Sequence, residues 1–210
     1  MSISLGSTTY GSIYLGSTKI GEAYLGSVKL YSSQIVLPAK TIRCKFSSGY
    51  TPSMGDTRTL VDQSENIWDI YKSATSWNSL FTYMYELVSV IAANTTGIRG
   101  MESMFLGCSN LATVPLFDTS SVGTMQSMFE NCSNLTTIPL FDTSSVTNML
   151  FTFSGCYKVQ SGALALYQQA STQANPPYMY YGAFTNCGRD TVTGAAELAQ
   201  IPSSWGGTGA

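Results

Sequence analysis

The sequence predicts an α/β fold: a solenoid of about four stacked 24-residue rungs, capped at each end and preceded by a short β-repeat module. Two observations predict it. Apolar residues and cysteines recur every 24 residues from Trp77 onwards, and the chain opens with three copies of a decapeptide. A fixed period of this size indicates stacked units, because one unit cannot bury its apolar face without a neighbour.

The N-terminal module consists of the copies "SISLGSTTYG", "SIYLGSTKIG" and "EAYLGSVKLY". Triplets such as "IYL" and "TKI" alternate with Gly-Ser or Gly-Glu pairs, which is typical of very short strands joined by tight turns. Strands of this length do not form a stable sheet alone. We therefore expect them to pair with other subunits or to lie on a partner. The residues expected to make these contacts are Tyr14, Leu15, Ile20, Tyr24, Leu25 and Leu30.

A connector lies between the two periodic regions. Its segment "SENIWDIYKSA" predicts a helix with Ser64 as N-cap, which would close the open end of the repeats. The predicted domains are residues 1–45 as the β-repeat attachment module, 46–76 as connector and N-terminal cap, 77–160 as 24-residue repeats, and 161–210 as C-terminal cap with a helical insertion.

Each rung is predicted as a strand, a turn and a short helix. In "NLTTIPLFDTSS", Leu135, Ile138 and Leu140 predict a strand facing the core, and Asp142 predicts a turn. The segment "SSVGTMQSMF" begins with serine, a good N-cap, and spaces its apolar residues as on one face of a helix. Those apolar residues are Val122, Met125, Met128 and Phe129.

The end of the chain interrupts the period. The segment "SGALALYQQASTQANPPYMYY" predicts an inserted amphipathic helix followed by a Pro-Pro stop, and "AAELAQIPSSW" predicts a final helix. We interpret these elements as the C-terminal cap.

Composition argues against catalysis and against nucleic-acid binding. The chain has no histidine, no G-x-S-x-G, no P-loop and no Rossmann glycine pattern, so we expect neither an enzyme nor a cofactor. Residues 1–45 carry five basic residues against Glu22, or +4, which leaves −6 for the rest of a chain whose net charge is −2. This mild asymmetry favours docking between proteins. No run of about 18 apolar residues predicts a membrane span, and no secretory signal is expected at the start.

The repeat letters "MFxxCxxLxxIPLFDTSxVxxM" resemble the DUF285-type repeats of BspA-like leucine-rich-repeat surface proteins of bacteria. The resemblance covers residues 77 to about 160 well and 161–205 loosely, although the strand and "DTS" lie about two residues closer together here. It implies a leucine-rich-repeat-like solenoid used for adhesion and protein binding. The matching residues include Met104, Phe105, Cys108, Leu111, Asp118, Thr119, Ser120, Val122 and Met125.

The opening "IYLGSTKIGEAYLGSVKLY" resembles the short YLGS-type repeats of tail, fibre and decoration proteins of tailed bacteriophages, over residues 1–37. This second resemblance implies a virion protein that docks on other virion proteins through its N-terminus. By analogy with fibre bases, a homotrimer is expected.

Two ladders of equivalent residues have structural and functional interpretations. Cys108, Cys132 and Cys156 are interpreted as buried free thiols, with disulfides or a metal site as alternatives. Asp118 and Asp142 are interpreted as turn caps, with a cation site or catalysis as alternatives.

Five aromatic residues are candidates for ligand contact. Phe117 and Phe141 form an exposed stripe if they follow the strand alternation, and belong to the core if the chain bends. Tyr178, Tyr180 and Tyr181 form either a contact surface or a packed cap.

The expected function is that of a non-enzymatic virion protein, either a head or tail fibre or a decoration protein. Its repeats would bind a host-surface or environmental glycan or protein. The alternative is a BspA-like adhesin on the bacterial cell surface.

Overall fold

The structure is a computed structural model that describes residues 14–15, 18–19, 22–25, 28–32 and 37–209. The chain divides into two compact units, Met1–Pro38 and Ala39–Ala210. The domain bounds predicted within these units stay predictions.

The first unit contains short strands, as its decapeptides predict. They are β1 (Tyr14–Leu15), β2 (Thr18–Lys19), β3 (Glu22–Leu25) and β4 (Val28–Ser32). Strand β1 pairs antiparallel with β2, and β3 with β4. Pairing with other subunits stays a prediction. Ile20 lies outside the described residues, as do the side chains of Tyr14, Leu15, Tyr24, Leu25 and Leu30.

The second unit begins with an antiparallel sheet of four strands in the order β6-β7-β5-β8. These strands are β5 (Thr41–Phe46), β6 (Thr57–Asp62), β7 (Ile67–Tyr71) and β8 (Leu87–Asn94). Alternate residues of β5, namely Ile42, Cys44 and Phe46, are buried, as expected for one face of a strand against a core. Arg43, which lies between Ile42 and Cys44, forms a bidentate ion pair with Asp69 of β7, with N–O distances of 2.7 and 2.8 Å.

The helix predicted across "SENIWDIYKSA" is wrong, because this segment contains β7. Its β-branched and aromatic residues favour a strand once neighbours are available on both sides, and β5 and β6 supply them. Ser64 does not cap a helix. It lies in the connection between β6 and β7, where its backbone N–H donates to Oδ1 of Asp62.

Strand β8 joins the sheet to the repeats. Its Val90 N–H donates to the carbonyl of Thr113 at 3.0 Å, and its Val88 carbonyl accepts from the Ala112 N–H at 2.9 Å. The same hydrogen bond recurs at 24-residue steps: the Thr136 N–H donates to the Ala112 carbonyl, and the Gln160 N–H donates to the Thr136 carbonyl. Consecutive repeats are therefore joined in parallel by their backbones.

The predicted α/β solenoid is wrong. Within the described residues, regular structure is limited to short antiparallel strands, two α-helices and one turn of 3₁₀ helix. Residues 95–160 contain neither a strand nor a helix, but turns joined by isolated parallel bridges such as Gly100 to Thr124. The fold is thus a small antiparallel sheet continued by repeated turns.

Each repeat forms turns because two of its residues, four positions apart, have a left-handed backbone conformation. The first positions are Ser79, Ser103, Ser127 and Phe151, and the second are Tyr83, Gly107, Asn131 and Gly155, with φ between 51° and 74°. Neither a right-handed helix nor a strand accommodates a residue with positive φ. The apolar face predicted for a helix is nevertheless buried, and Val122, Met125, Met128 and Phe129 are all 0% exposed.

Phenylalanine rings form the centre of the repeats. The rings of Phe81, Phe105, Phe129, Phe153 and Phe184 follow one another at centroid distances of 5.4, 5.2, 5.3 and 5.8 Å, nearly parallel. A second, shorter row consists of Phe117 and Phe141, 5.6 Å apart. Both rows belong to one continuous core that extends from the sheet to Trp205.

Two helices follow the repeats, as the sequence predicts. Helix α1 (Ala163–Thr172) packs its Leu166 and Ala170 into the core. Helix α2 (Val192–Leu198) begins earlier than "AAELAQIPSSW" and is capped by the Thr191 hydroxyl, which accepts from the Gly194 N–H. Neither of these described helices has the length and apolar character required to cross a membrane.

Candidate functional site

The aspartates of the "DTS" turns cap their own turns, as predicted. Oδ1 of Asp118 accepts from the backbone N–H and the hydroxyl of Ser120 at 3.2 and 2.6 Å. Oδ1 of Asp142 accepts from the Ser144 N–H at 2.8 Å. Hydrogen bonding from Ser144, its side chain first and its backbone second, lowers the pKa of the Asp142 carboxyl.

Buried threonines next to these aspartates connect one repeat to the next. The hydroxyls of Thr95 and Thr119 donate to the carbonyls of Asp118 and Asp142, at 3.0 and 2.8 Å. The equivalent hydroxyl of Thr143 has no further repeat above it and donates instead to Oε1 of Gln173 at 2.8 Å. A side-chain amide thus replaces the missing carbonyl at the end of the ladder.

The cysteines are buried free thiols, as interpreted from the sequence. The Sγ–H of Cys108, Cys132 and Cys156 donates to the carbonyls of Phe81, Phe105 and Phe129 at 2.9 to 3.1 Å. Burial raises the pKa of Cys108 to about 12, and it raises the pKa values of Cys44, Cys132, Cys156 and Cys187 as well. The thiolate is the reactive form of cysteine, so these residues are structural.

We expect an alkylating reagent to label none of the five thiols of the native protein at pH 8, and all five in concentrated guanidinium. Since the folded pKa values lie above the ordinary 9.0, the folded state holds these protons more tightly than the unfolded chain. Their contribution to stability is therefore complete below pH 9 and declines as the pH rises towards 12. Mass spectrometry of labelled protein and alkaline unfolding curves measure the two effects. Rapid native labelling of Cys132 would contradict the assignment.

Phe117 and Phe141 are buried, at 2% and 0% exposed, so the core interpretation is correct and the exposed stripe is wrong. The chain bends after Pro139, where the Phe141 N–H donates to the Pro139 carbonyl two residues back. This bend reverses the alternation that the sequence predicts for a strand. Leu140, predicted to face the core, is 53% exposed for the same reason.

The bend creates an open groove, here called the leucine–aspartate groove. It has a volume of about 400 Å³. Its main lining residues are Leu116, Leu140, Asp118, Asp142, Gln169 and Gln173. The sequence reasoning missed Leu116, which is 62% exposed at the position equivalent to Leu140. The proline that precedes each leucine was the available signal of a bend.

A second surface lies near the C-terminal end of the repeats and is here called the tyrosine surface. Tyr178 and Tyr181 are 73% and 67% exposed, beside the partly exposed Phe151 and Met179. The Tyr181 ring meets the Phe151 ring edge to face at 6.1 Å. Tyr178, Tyr181 and Met179 line a shallow cavity of about 380 Å³.

Tyr180 has a different position from its two neighbours. Its ring stacks on Trp205 at 4.4 Å and 11°, and it is partly buried. The three predicted tyrosines thus divide into two exposed residues and one that packs against Trp205. Tyr178 and Tyr181 are available for contact, whereas Tyr180 anchors the loop.

Sequence reasoning did not identify Phe151 as a surface residue. The equivalent residues of the two preceding repeats are Ser103 and Ser127. An aromatic residue in a polar position was the signal that could have identified it.

Within residues 37–209, no group of three or more histidine, cysteine, aspartate or glutamate side chains lies close enough to hold a metal ion. The arrangement instead offers two exposed surfaces on a rigid scaffold of repeats.

The fold is an antiparallel sheet followed by turns whose backbones pair at 24-residue steps, with two exposed surfaces. Residues 75–187 match the family described as "Mycoplasma protein of unknown function, DUF285", and because the match covers more than half of the chain, the protein belongs to this family. No curated protein and no solved structure matches the chain. The DUF285 part of the sequence resemblance is therefore confirmed. The resemblance of the N-terminal decapeptides to phage proteins has no such support.

Proposed function

We propose that the protein is a non-enzymatic recognition protein whose tyrosine surface contacts a glycan or protein on a host or environmental surface. The observation that carries the proposal is the exposure of Tyr178 and Tyr181 on one shallow cavity, with the Tyr181 ring against Phe151. Two rings of this size exposed to more than half of their area are a large apolar surface to leave in water.

The base of the surface is rigid, which favours binding. Tyr180 stacks on Trp205, and the Trp205 carbonyl accepts from the Phe184 N–H at 2.9 Å. Phe184 in turn continues the row of stacked phenylalanines. Tyrosine rings held in this way provide contact area at little cost in conformational entropy.

The experiment compares binding of the full chain with that of the double variant Tyr178→Ala/Tyr181→Ala on glycan arrays and intact cells. We expect the affinity of the double variant to fall by roughly thirtyfold or more, because tyrosines at the centre of an interface commonly contribute about 2 kcal/mol or more. Tyr85→Ala is the matched control, since Tyr85 is 54% exposed elsewhere in the repeats. Equal losses in the control and the double variant, or an unaffected double variant, would contradict the proposal.

We further propose that this recognition protein is part of a phage particle, as a fibre or decoration protein that docks on other virion proteins and forms a trimer through its N-terminal unit. The support is the resemblance of the decapeptides alone. The alternative is a surface adhesin of bacteria, and its support is the resemblance of the repeats to BspA-like surface proteins. Quantitative mass spectrometry of purified particles and of envelope fractions distinguishes the two. A fixed ratio to the major capsid protein indicates a virion component, and recovery from the envelope alone indicates the adhesin.

A further inference from the structure

We infer that the leucine–aspartate groove binds a protein segment that presents a lysine or arginine side chain next to an aliphatic one. This site is separate from the tyrosine surface and shares none of its residues. The two sites can therefore be tested independently of each other.

The apolar half of the groove consists of two leucines in equivalent positions of consecutive repeats. Leu116 and Leu140 are 62% and 53% exposed, although the residues that follow them are buried. Nothing in the packing of the repeats requires a leucine at a position that points outwards. An aliphatic side chain, or the methylene stem of a long basic one, gains by covering such a pair.

The polar half of the groove carries only negative charge. Asp118 and Asp142 line the groove, and no lysine or arginine does. The phenylalanines that precede them stack at 5.6 Å, so the two turns are close neighbours. A cation placed between two adjacent carboxylates relieves their repulsion and gains two attractions.

Both carboxylates can accept further hydrogen bonds. The backbone N–H bonds of the two turns end on Oδ1 of each aspartate, and a carboxylate offers about four acceptor positions on its two oxygens. A guanidinium or ammonium group donates to such oxygens in strong, charge-assisted hydrogen bonds. The far wall is fixed, because the Gln169 amide donates to the Phe141 carbonyl at 2.7 Å and the Gln173 amide to the Thr143 carbonyl at 3.0 Å.

The composition of the groove disfavours two other ligands. A bare metal ion needs more ligands than two carboxylates that are each engaged in a turn. A sugar would normally stack on an exposed aromatic ring, and the rings of Phe117 and Phe141 are buried. A basic and aliphatic protein segment matches both halves of the groove.

Fluorescence anisotropy of the full chain with a short labelled peptide of alternating leucine and lysine tests this inference. Two further peptides are controls, one with glutamine in place of lysine and one with glycine in place of leucine. We expect the first peptide to bind, both controls to bind more weakly, and binding to weaken with added salt.

The decisive variant is Asp118→Asn/Asp142→Asn, in which asparagine keeps the Oδ1 acceptor of each turn and loses the charge. We expect peptide binding to weaken by about tenfold or more, because the variant loses at least one charge-assisted hydrogen bond. The control is Glu102→Gln/Glu130→Gln, which removes two negative charges outside the groove and should leave binding unchanged. Leu116→Ser/Leu140→Ser should weaken binding severalfold. Circular dichroism melting curves establish that each variant is folded.

Three results would overturn the inference. They are absence of binding at millimolar peptide, an equal loss in the glutamate control, and unchanged affinity in the aspartate variant. Calcium binding that is lost in the same aspartate variant, without peptide binding, would assign the groove to a cation instead. Tyrosine-surface variants should bind the peptide normally, so this test is independent of the proposed function.

Discussion

Replacing Phe129 by alanine is expected to lower the free energy of unfolding by about 3–5 kcal/mol, among the largest effects of any single side chain here. Phe129 is 0% exposed and lies in the middle of the main row of rings. Its ring contacts those of Phe105 and Phe153 at 5.2 and 5.3 Å, and that of Phe141 in the second row at 5.9 Å. Removing it leaves a cavity that rigid neighbouring turns cannot fill.

Urea unfolding monitored by circular dichroism measures this effect. Phe151→Ala is the matched control, because Phe151 is 36% exposed and its removal should cost about 1 kcal/mol or less. If Phe129→Ala is too unstable to purify, Phe129→Leu provides a graded measurement with a smaller loss. Equal losses for Phe129 and Phe151 would show that the row of rings is not the centre of stability.

Replacing Gly162 by alanine is expected to cost about 2–5 kcal/mol, the sum of backbone strain and a steric clash. Gly162 has φ of 100° and precedes helix α1. A Cβ atom at this position would lie 2.1 Å from the backbone oxygen of Ile138. Because the clash is with backbone, relief requires α1 to move away from the last repeat.

Alanine substitutions at two other glycines distinguish the cost of backbone strain from the cost of the steric clash. Gly97 has φ of 78° with open space around its Cβ position, so alanine there should cost only the strain, about 1–2 kcal/mol. Gly123 has neither positive φ nor a close neighbour, and alanine there should be neutral or stabilise by up to about 1 kcal/mol. Thermal melting of the three variants gives the order. A Gly162→Ala protein as stable as Gly97→Ala would contradict the close packing of α1.

The two exposed surfaces differ in the part of the fold that positions their side chains. The tyrosine surface lies in a segment that interrupts the period and that Tyr180 anchors on Trp205. The leucine–aspartate groove is formed by the repeats themselves, so its two leucines and two aspartates are copies of the same positions. A further copy of the repeat would lengthen the groove by one more leucine and one more aspartate. The tyrosine surface would remain single.

Much of the candidate site could be predicted from the sequence. The turn-capping aspartates and the buried cysteines are where sequence reasoning places them, and Tyr178 and Tyr181 were named as candidates with two interpretations left open. These predictions succeeded because they depend on local chemistry, such as a carboxylate two residues before a free N–H. The exposure of Leu116 and the burial of Phe117 and Phe141 could not be predicted in the same way, because both depend on the direction of a bend.

The sequence by itself determined the 24-residue period, the burial of most of the apolar positions that follow it, and the family to which the protein belongs. Only the tertiary structure decided that the repeats consist of turns rather than strands and helices. Apolar spacing specifies which side chains are buried together, and a buried face at helical spacing is satisfied equally by connected turns. The choice between them depends on left-handed residues such as Ser127 and Asn131, whose conformation is stabilised by backbone hydrogen bonds to the next repeat at 2.9 and 2.7 Å. Those bonds exist only once the repeats have stacked.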